Sequence, residues 1–473
     1  MPDHRPDPQE HLMKYQTAEP FRIKMIEHVK HTTLDERKVW LKEAGYNVFK
    51  IKATNVYIDC LTDSGTSAMS KEQWAGLMMG DESYASCDSF FRLEASVHEV
   101  FDMPYVQPVH QGRAADYLIA SIYCKPGQIA IGNMHFDTFR GNAEVLGAKV
   151  ADLVIDAGKD AASAPQAFKG NLDIKQTEDF ILKNGRENIG LIMLTVTCNN
   201  NGGQPVSMKN IREAAALAKK YNIPLTMDIA RIAENAYFIK TREPEFKEVS
   251  IGDIIRETLS YAETAVMSAK KDGLVNIGGL FLTRKEDIYH KANQLAIVHE
   301  GFITYGGLAG RDLDALAVGL KEVTDYDYLD YRIKQVEYLG NKLKEAGIPI
   351  IEPTGGHGVY VDARRFFPHI PQSEFPAQRL VVALYEISGI RCVELGACAF
   401  GSKDPVTGEL HWPELETMRI AISRRVYTNN HMDCIANALT DIYAHRDEYK
   451  GLKLVYEGPI QSLRHFTAGF ELL

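Results

Sequence analysis

Ile189-Gly-Leu-Ile-Met-Leu-Thr-Val196, the break Asn199-Asn-Asn-Gly-Gly203, a helical segment opened by Ser207, and Ile223-Pro-Leu-Thr-Met-Asp228 follow one another in the middle of the chain, and their reading decides the fold. The first run is apolar almost without interruption, the pattern of a strand covered on both faces. After Ser207, residues Ile211, Ala214, Ala215 and Ala218 share one helical face. The second run is another strand. A strand–helix–strand unit implies a parallel sheet, and Thr264–Met267 and Gly278–Thr283 add strands downstream. Ligands of such sheets gather outside the carboxyl ends of the strands. Asp228, Arg231 and Lys271 would all stand at that edge.

Working outward, Ser268-Ala269-Lys270-Lys271-Asp272 follows the third of these strands. Small residues bring the chain close to a neighbour, and two lysines then stand at the strand end. A lysine there is able to form a Schiff base with a carbonyl, and a second cation beside it lowers its pKa. The competing reading of these five residues is a solvated basic turn.

The chain has 473 residues, 45% hydrophobic and 25% charged, enough for a large core and more than one domain. A net charge of −10 gives no basic footprint for nucleic acid. No apolar run is long enough for a membrane span. The polar stretch Met1 to Glu19 lacks the apolar centre of a signal peptide and reads as an arm. The seven cysteines include no C-x-x-C pair, which argues against a zinc site and fits free thiols in a reducing cytoplasm. Towards the C-terminus, Tyr331–Ala346 reads as a charged amphipathic helix, Ile348–Ile351 and Val359–Asp362 as strands, Leu380–Cys392 as an apolar stretch, and Met432–His445 as a last helix. Together they describe a second, smaller domain.

Four separate stretches suit one ligand. Asp228 would keep a ring nitrogen protonated, and Lys271 would bind an aldehyde. His110-Gln-Gly-Arg113, before the helical Ala114–Tyr123, would take a phosphate at a helix N-terminus. Phe136 would stack on an aromatic ring. Protonated pyridine, aldehyde and phosphate together describe pyridoxal phosphate. Each sign is weak alone: an aspartate ending a strand is commonly a cap, and His110 reads better as a packing residue than as a base.

The longer motifs are Leu61-Thr-Asp-Ser-Gly-Thr66, Gly80-Asp-Glu82, His110-Gln-Gly-Arg113, Gly202-Gly-Gln-Pro-Val206, Glu234-Asn-Ala-Tyr-Phe238, Met267-Ser-Ala-Lys-Lys-Asp272 and Tyr305-Gly-Gly-Leu308. On these the chain resembles the β-eliminating aromatic amino-acid lyases, tryptophanase and tyrosine phenol-lyase, over nearly its whole length. The resemblance implies an α/β fold-type-I pyridoxal-phosphate architecture, aspartate-aminotransferase-like. Its large domain would hold a mostly parallel seven-stranded sheet beside a smaller α+β domain. The expected division is an arm over residues 1–32, a small-domain piece over 33–62, the cofactor domain over 63–323 and the small domain over 324–473. It further implies a homotetramer of catalytic dimers, pyridoxal 5'-phosphate and potassium as cofactors, and a small amino-acid substrate. By resemblance Lys271 is the Schiff-base residue and Asp228 the pyridine partner. Arg231 and Asn199 lie by the ring hydroxyl, Gln111, Gly112, Arg113 and Ser268 hold the phosphate, and Phe136 stacks. Arg424 matches the grip on the substrate carboxylate, with Ser64 nearby, and Gly65, Glu82 and Asn276 match the potassium site. Tyr84, aided by Lys270, matches a proton donor reaching the neighbouring subunit's site, and Tyr305 a tyrosine contributed across the dimer.

Three positions divide the two activities of the family. Phenol-lyases carry threonine, arginine and phenylalanine where this chain has Asp137, Leu395 and His465. A carboxylate at 137 would accept an indole N–H, and an apolar residue at 395 removes the cation that a phenolic oxygen would meet. The expectation is therefore elimination of L-tryptophan to indole, pyruvate and ammonia. The alternative is a tyrosine phenol-lyase, or a related β-lyase of a modified aromatic amino acid or S-substituted cysteine. A non-catalytic homologue is the reading from another class, and the presence of Lys271, Asp228 and the carboxylate-binding Arg424 argues against it. Ala114-Ala115-Asp116, Phe139-Arg140, Ile229 and Ser423 depart from the family pattern.

Overall fold

The computed structural model describes residues 19–403, 409–458 and 463–473. Seven strands form its main sheet: β1 (Tyr105–Val109), β2 (Ile129–Gly132), β3 (Lys149–Asp152), β4 (Ile189–Thr195), β5 (Leu225–Asp228), β6 (Thr264–Ser268) and β7 (Gly279–Thr283). Their order is β1-β7-β6-β5-β4-β2-β3. All neighbours pair in parallel except at β7, which runs antiparallel to both β1 and β6. The connection from β6 to β7 is therefore short, and it carries the lysine pair.

The apolar run at β4 has a direct explanation. Leu191 and Met193 face one buried cluster with Leu118, Ile119, Val266 and Phe281. Ile192 and Leu194 face a larger cluster with Met227, Met267, Leu280 and Leu313. Strands buried on both faces need apolar residues at every position. Helices supply both covers, among them α1 (Gly112–Tyr123), α2 (Asp137–Val145), α3 (Met208–Tyr221) and α4 (Ile232–Arg242). Helix α3 starts where the sequence indicates: Ser207 Oγ accepts the Asn210 amide, and Ile211, Ala214 and Ala218 are buried. Ala215 is only half-buried.

A second core gathers Leu41, Val48, Ile58 and Cys60 with Val336, Leu380, Ile420 and Ile435. The chain before the main sheet thus packs with the C-terminal part, and Ile58–Asp59 pairs in parallel with Ile390–Arg391. Around this core stand α5 (Tyr326–Glu345), α6 (Pro376–Ser388) and α7 (Asn429–Ala444), with a sheet of β8 (Gly358–Asp362), β9 (Val393–Leu395) and β10 (Thr417–Ala421) in the order β9-β10-β8. The expected strand at Ile348–Ile351 is reduced to a single bridge, Ile350 to Val361. Leu380–Cys392 divides between the end of α6 and the short strand at Ile390–Arg391. Residues 19–32 form neither helix nor strand and are mostly exposed; the arm's first residues lie outside the described ones. No described helix is long and apolar enough to cross a membrane. The seven cysteines are free thiols, six of them buried.

Candidate active site

The carboxyl ends of β5 and β6, the start of α1 and the turn after β4 converge. Asp228 ends β5 and Ser268 ends β6. Lys271 follows, only 8% exposed, its Nζ 5.5 Å from the centre of the Phe136 ring. Among the described residues this amine has no hydrogen-bond or ion-pair partner. Burial pushes it down to about 8, with Arg231 adding to the effect and Asp63, Asp228 and Asp116 opposing it. Lys270 is also pushed down, by burial and then by Arg113.

Asp228 accepts one bond within its own turn, from the Ala230 amide at 3.0 Å. Burial raises its pKa against the pull of that amide, Lys271 and Arg231. Asp116, on α1 and one of the departures from the family pattern, is pushed up to about 7 by burial and by Asp228. Thr138 Oγ1 donates to it at 2.5 Å.

Gln111 is the residue before α1 and gives that helix no side-chain cap. First-turn amides are thereby left for an anion. Gly112 is required by the close approach of β6: a Cβ there would lie 2.5 Å from Ser268 Cβ. Arg113 is exposed, and its guanidinium has no partner among the described residues. His110 is held at Nδ1 by Glu300, and its Nε2 lies 2.9 Å from Gln111 Nε2. A buried uncommitted amine, a carboxylate, an uncapped helix start and a phenylalanine face are the donor set that pyridoxal phosphate needs, so the residues present fit that group.

Side chains of the smaller domain pack against the turn after β4. Leu395 packs with Ile351, Tyr360 and Val393, against Phe49, Leu61 and Phe400. Tyr360 Oη donates to Asn199 O at 2.8 Å. Asn199 Oδ1 accepts Arg419 Nη1 at 3.0 Å, and Arg419 Nη2 donates to Leu61 O at 3.1 Å. Arg419 Nε is buried without a partner. Asn199 Nδ2 donates to Asn200 Oδ1 at 2.6 Å, and Asn200 Nδ2 donates in turn to Asp137 Oδ1 at 3.3 Å. Asp137 is the first residue of α2, and burial raises its carboxyl. His465 lies 6.1 Å from Phe49, ring centre to ring centre. It is pushed down to about 4 by burial, then by Arg419 and Arg464, and is neutral at physiological pH.

The structure corrects the assignment of Arg424. Its guanidinium is fully buried and already committed: Nη1 to Asp63 at 2.8 Å, Nη2 to Glu234 at 2.7 Å and to Asp272 at 3.0 Å. A fork filled by three carboxylates has no face for a fourth. Arg419, five residues earlier, does: among the described residues it pairs with no carboxylate, and its terminal nitrogens meet the neutral oxygens of Asn199 and Leu61. Sequence reading missed it because both arginines occupy the same basic stretch. Ser64 is half-buried, in the turn following Asp63. Gly65 O accepts Asn276 Nδ2 at 3.0 Å, so these two lie together. Glu82 instead approaches Gly310 N at 3.4 Å and Arg311 at 3.5 Å. Tyr84 stands 70% exposed, its ring 5.4 Å from Tyr305. No described group of three or more His, Cys, Asp and Glu side chains could hold a metal ion.

Comparison with known proteins speaks to the fold and the family. Among solved structures, the threonine aldolase of Leishmania major superposes with a TM-score of 0.56 at 14% identity, covering 82% of this chain and 99% of that one, a likeness of fold. The tyrosine phenol-lyase of Clostridium tetani is 49% identical over 460 residues, 97% of this chain and 99% of its own. A probable beta-eliminating lyase of Trichomonas vaginalis is 48% identical over 462 residues, 98% of this chain and 100% of its own. The beta-eliminating lyase family model matches residues 59–438. On this match, and on a fold-type-I framework, the chain belongs to the β-eliminating lyases, enzymes that work with pyridoxal phosphate.

Proposed function

We propose that the chain cleaves the Cβ–aryl bond of an aromatic L-amino acid whose ring carries an O–H or N–H. The observation that carries this reading is a single carboxylate, Asp137, tied through Asn200 and Asn199 to Arg419 beside an apolar wall at Leu395. A carboxylate set beside apolar side chains suits such a leaving group.

Lys271, Asp228, Arg231, Asn199, Ser268, Phe136 and the Gln111–Arg113 turn would hold the cofactor. When bound, pyridoxal phosphate supplies an electron sink for the pair released at Cα. Arg419 grips the substrate carboxylate, a task suited to a guanidinium. Lys271 Nζ, whose pKa burial brings down to about 8, removes the α-proton in its unprotonated form. Asp137 accepts the ring O–H or N–H and so enriches the ring in electrons. Tyr84 of a second copy, beside Tyr305 and aided by Lys270, protonates the ring carbon. The Cβ–aryl bond then breaks, and the three-carbon remainder takes up water and leaves as pyruvate and ammonia. A homotetramer, a potassium ion near Gly65 and Asn276 with Glu82 brought by a second copy, and a cytoplasmic setting belong to the same proposal.

The names of the relatives favour tyrosine as substrate and phenol as product, the alternative at the sequence level, over indole. One observation favours tryptophan: Leu395 lies in an apolar cluster and offers no cation to a phenolic oxygen. Incubation with tyrosine, tryptophan and S-methylcysteine, pyridoxal phosphate and potassium present, tests the proposal. Phenol supports the first reading, and indole with little phenol the second. Pyruvate from S-methylcysteine alone overturns both.

A further inference from the structure

Six charged side chains lie buried together behind the site: Asp63, Arg231, Glu234, Asp272, Arg332 and Arg424, each no more than 4% exposed. Three cations face three carboxylates. Four of the six belong to the lysine side of the cleft. Asp63 takes Arg231 in a two-pronged pair, Nε at 3.0 Å and Nη2 at 2.7 Å. Asp272, the residue after Lys271, receives the Ala233 amide at 2.8 Å and so fixes the start of α4. Arg332 and Arg424 come from the smaller domain. Arg332, on α5, donates to Glu234 at 3.3 Å, and its Nη1 donates to Ile422 O at 2.6 Å. Arg424, three residues beyond β10, is the only one that touches Asp63, Glu234 and Asp272 at once.

We propose that Arg424 is a positioning residue: it clamps the smaller domain onto Asp63 and Asp272 and thereby fixes both the loop of Lys271 and the guanidinium of Arg231. It touches neither substrate nor cofactor. Three features support this over a purely structural ion pair. Buried charges persist where partners are fully arranged, and removing one partner leaves the rest uncompensated. Asp272 stands next in the chain to Lys271, so its displacement moves the amine directly. Asp63 is shared between Arg424 and Arg231, so losing Arg424 leaves the cluster with an extra negative charge beside the lysine. The charged groups acting on Lys271 are Arg231, Asp63, Asp228 and Asp116. An added negative charge at Asp63 and Asp272 favours the protonated amine.

The inference rests on Lys271 as the amine that carries the cofactor. The test uses full-length apoenzyme, pyridoxal phosphate as probe, borohydride trapping and peptide mapping across pH 6–11 (~6 to ~11, the span in which a lysine shifted by burial titrates). In Arg424→Met, trapping still maps to Lys271, but the pH midpoint of its reactivity rises by about one unit. Arg424→Lys restores part of that shift, and Arg424→Met with Glu234→Gln restores charge balance and folding if the single variant unfolds. A midpoint unmoved in Arg424→Met, or in the double variant set against Glu234→Gln alone, overturns the positioning role. An adduct that maps elsewhere in the parent protein defeats the reading of Lys271 itself. A rise in amino-acid KM with an unmoved midpoint would return Arg424 to the substrate carboxylate.

Discussion

Replacing Lys271 by methionine should stabilise the apoenzyme at neutral pH. The amine is 8% exposed and titrates at about 8 instead of 10.5. Each pKa unit is worth about 1.4 kcal/mol, so holding the protonated lysine inside the fold costs about 3 kcal/mol. The folded-state value lies below the unfolded one. Between pH 8 and 10.5 the unfolded chain therefore binds a proton that the folded chain does not, and stability rises with pH over that window. Below about pH 8 the full penalty applies. Lys271→Met removes it, so the variant should exceed the parent by about 3 kcal/mol at pH 7, apart from a packing difference that does not depend on pH. The advantage should close as pH approaches 10.5. Urea unfolding of both apoenzymes at one protein concentration, at several pH values, gives the difference directly, and all other titrating groups cancel. A difference that stays constant from neutral to alkaline pH would refute the reasoning, because it would mean that the amine is as easily charged inside the fold as in water.

Gly112→Ala puts a Cβ 2.5 Å from Ser268 Cβ and 2.9 Å from its Cα, so α1 must withdraw from β6. Overpacking of this kind costs about 1–3 kcal/mol, and cofactor affinity, measured by equilibrium dialysis, should fall at least about tenfold. Arg419→Gln removes the charged grip, worth about 2–3 kcal/mol. KM for the amino acid should rise roughly 30- to 100-fold while cofactor binding stays near the parent value. Asp137→Asn should lower kcat on tyrosine or tryptophan by about 100-fold, in the range of a lost general base. On S-methylcysteine, whose leaving group carries no ring proton, the change should be less than about threefold. Equal losses on both substrate types would remove Asp137 from the leaving-group role.

Much of the architecture was legible in the chain. The doubly covered strand at Ile189–Thr195, the Ser207 cap and the strand ending at Asp228 follow from local rules: apolar runs, a side-chain oxygen aimed at a free amide, and a turn where glycines collect. The motifs likewise put Lys271, Asp228, Phe136 and the Gln111–Arg113 turn at one edge, because each stands at a strand end or helix start. The pairing of Ile58–Asp59 with Ile390–Arg391 was not readable from local pattern, since it joins segments more than 300 residues apart.

What the sequence alone determined is part of the inventory: the four strands Ile189–Thr195, Leu225–Asp228, Thr264–Ser268 and Gly279–Thr283, the amine and the carboxylate that stand at their ends, and the residues Asp137, Leu395 and His465. Only the tertiary structure decided between Arg419 and Arg424. The two are chemically identical and five residues apart, yet one is enclosed by Asp63, Glu234 and Asp272 while the other meets the neutral oxygens of Asn199 and Leu61. Partners drawn from distant parts of the chain set that difference, because the availability of a charge depends on what surrounds it in space and not on its neighbours in sequence.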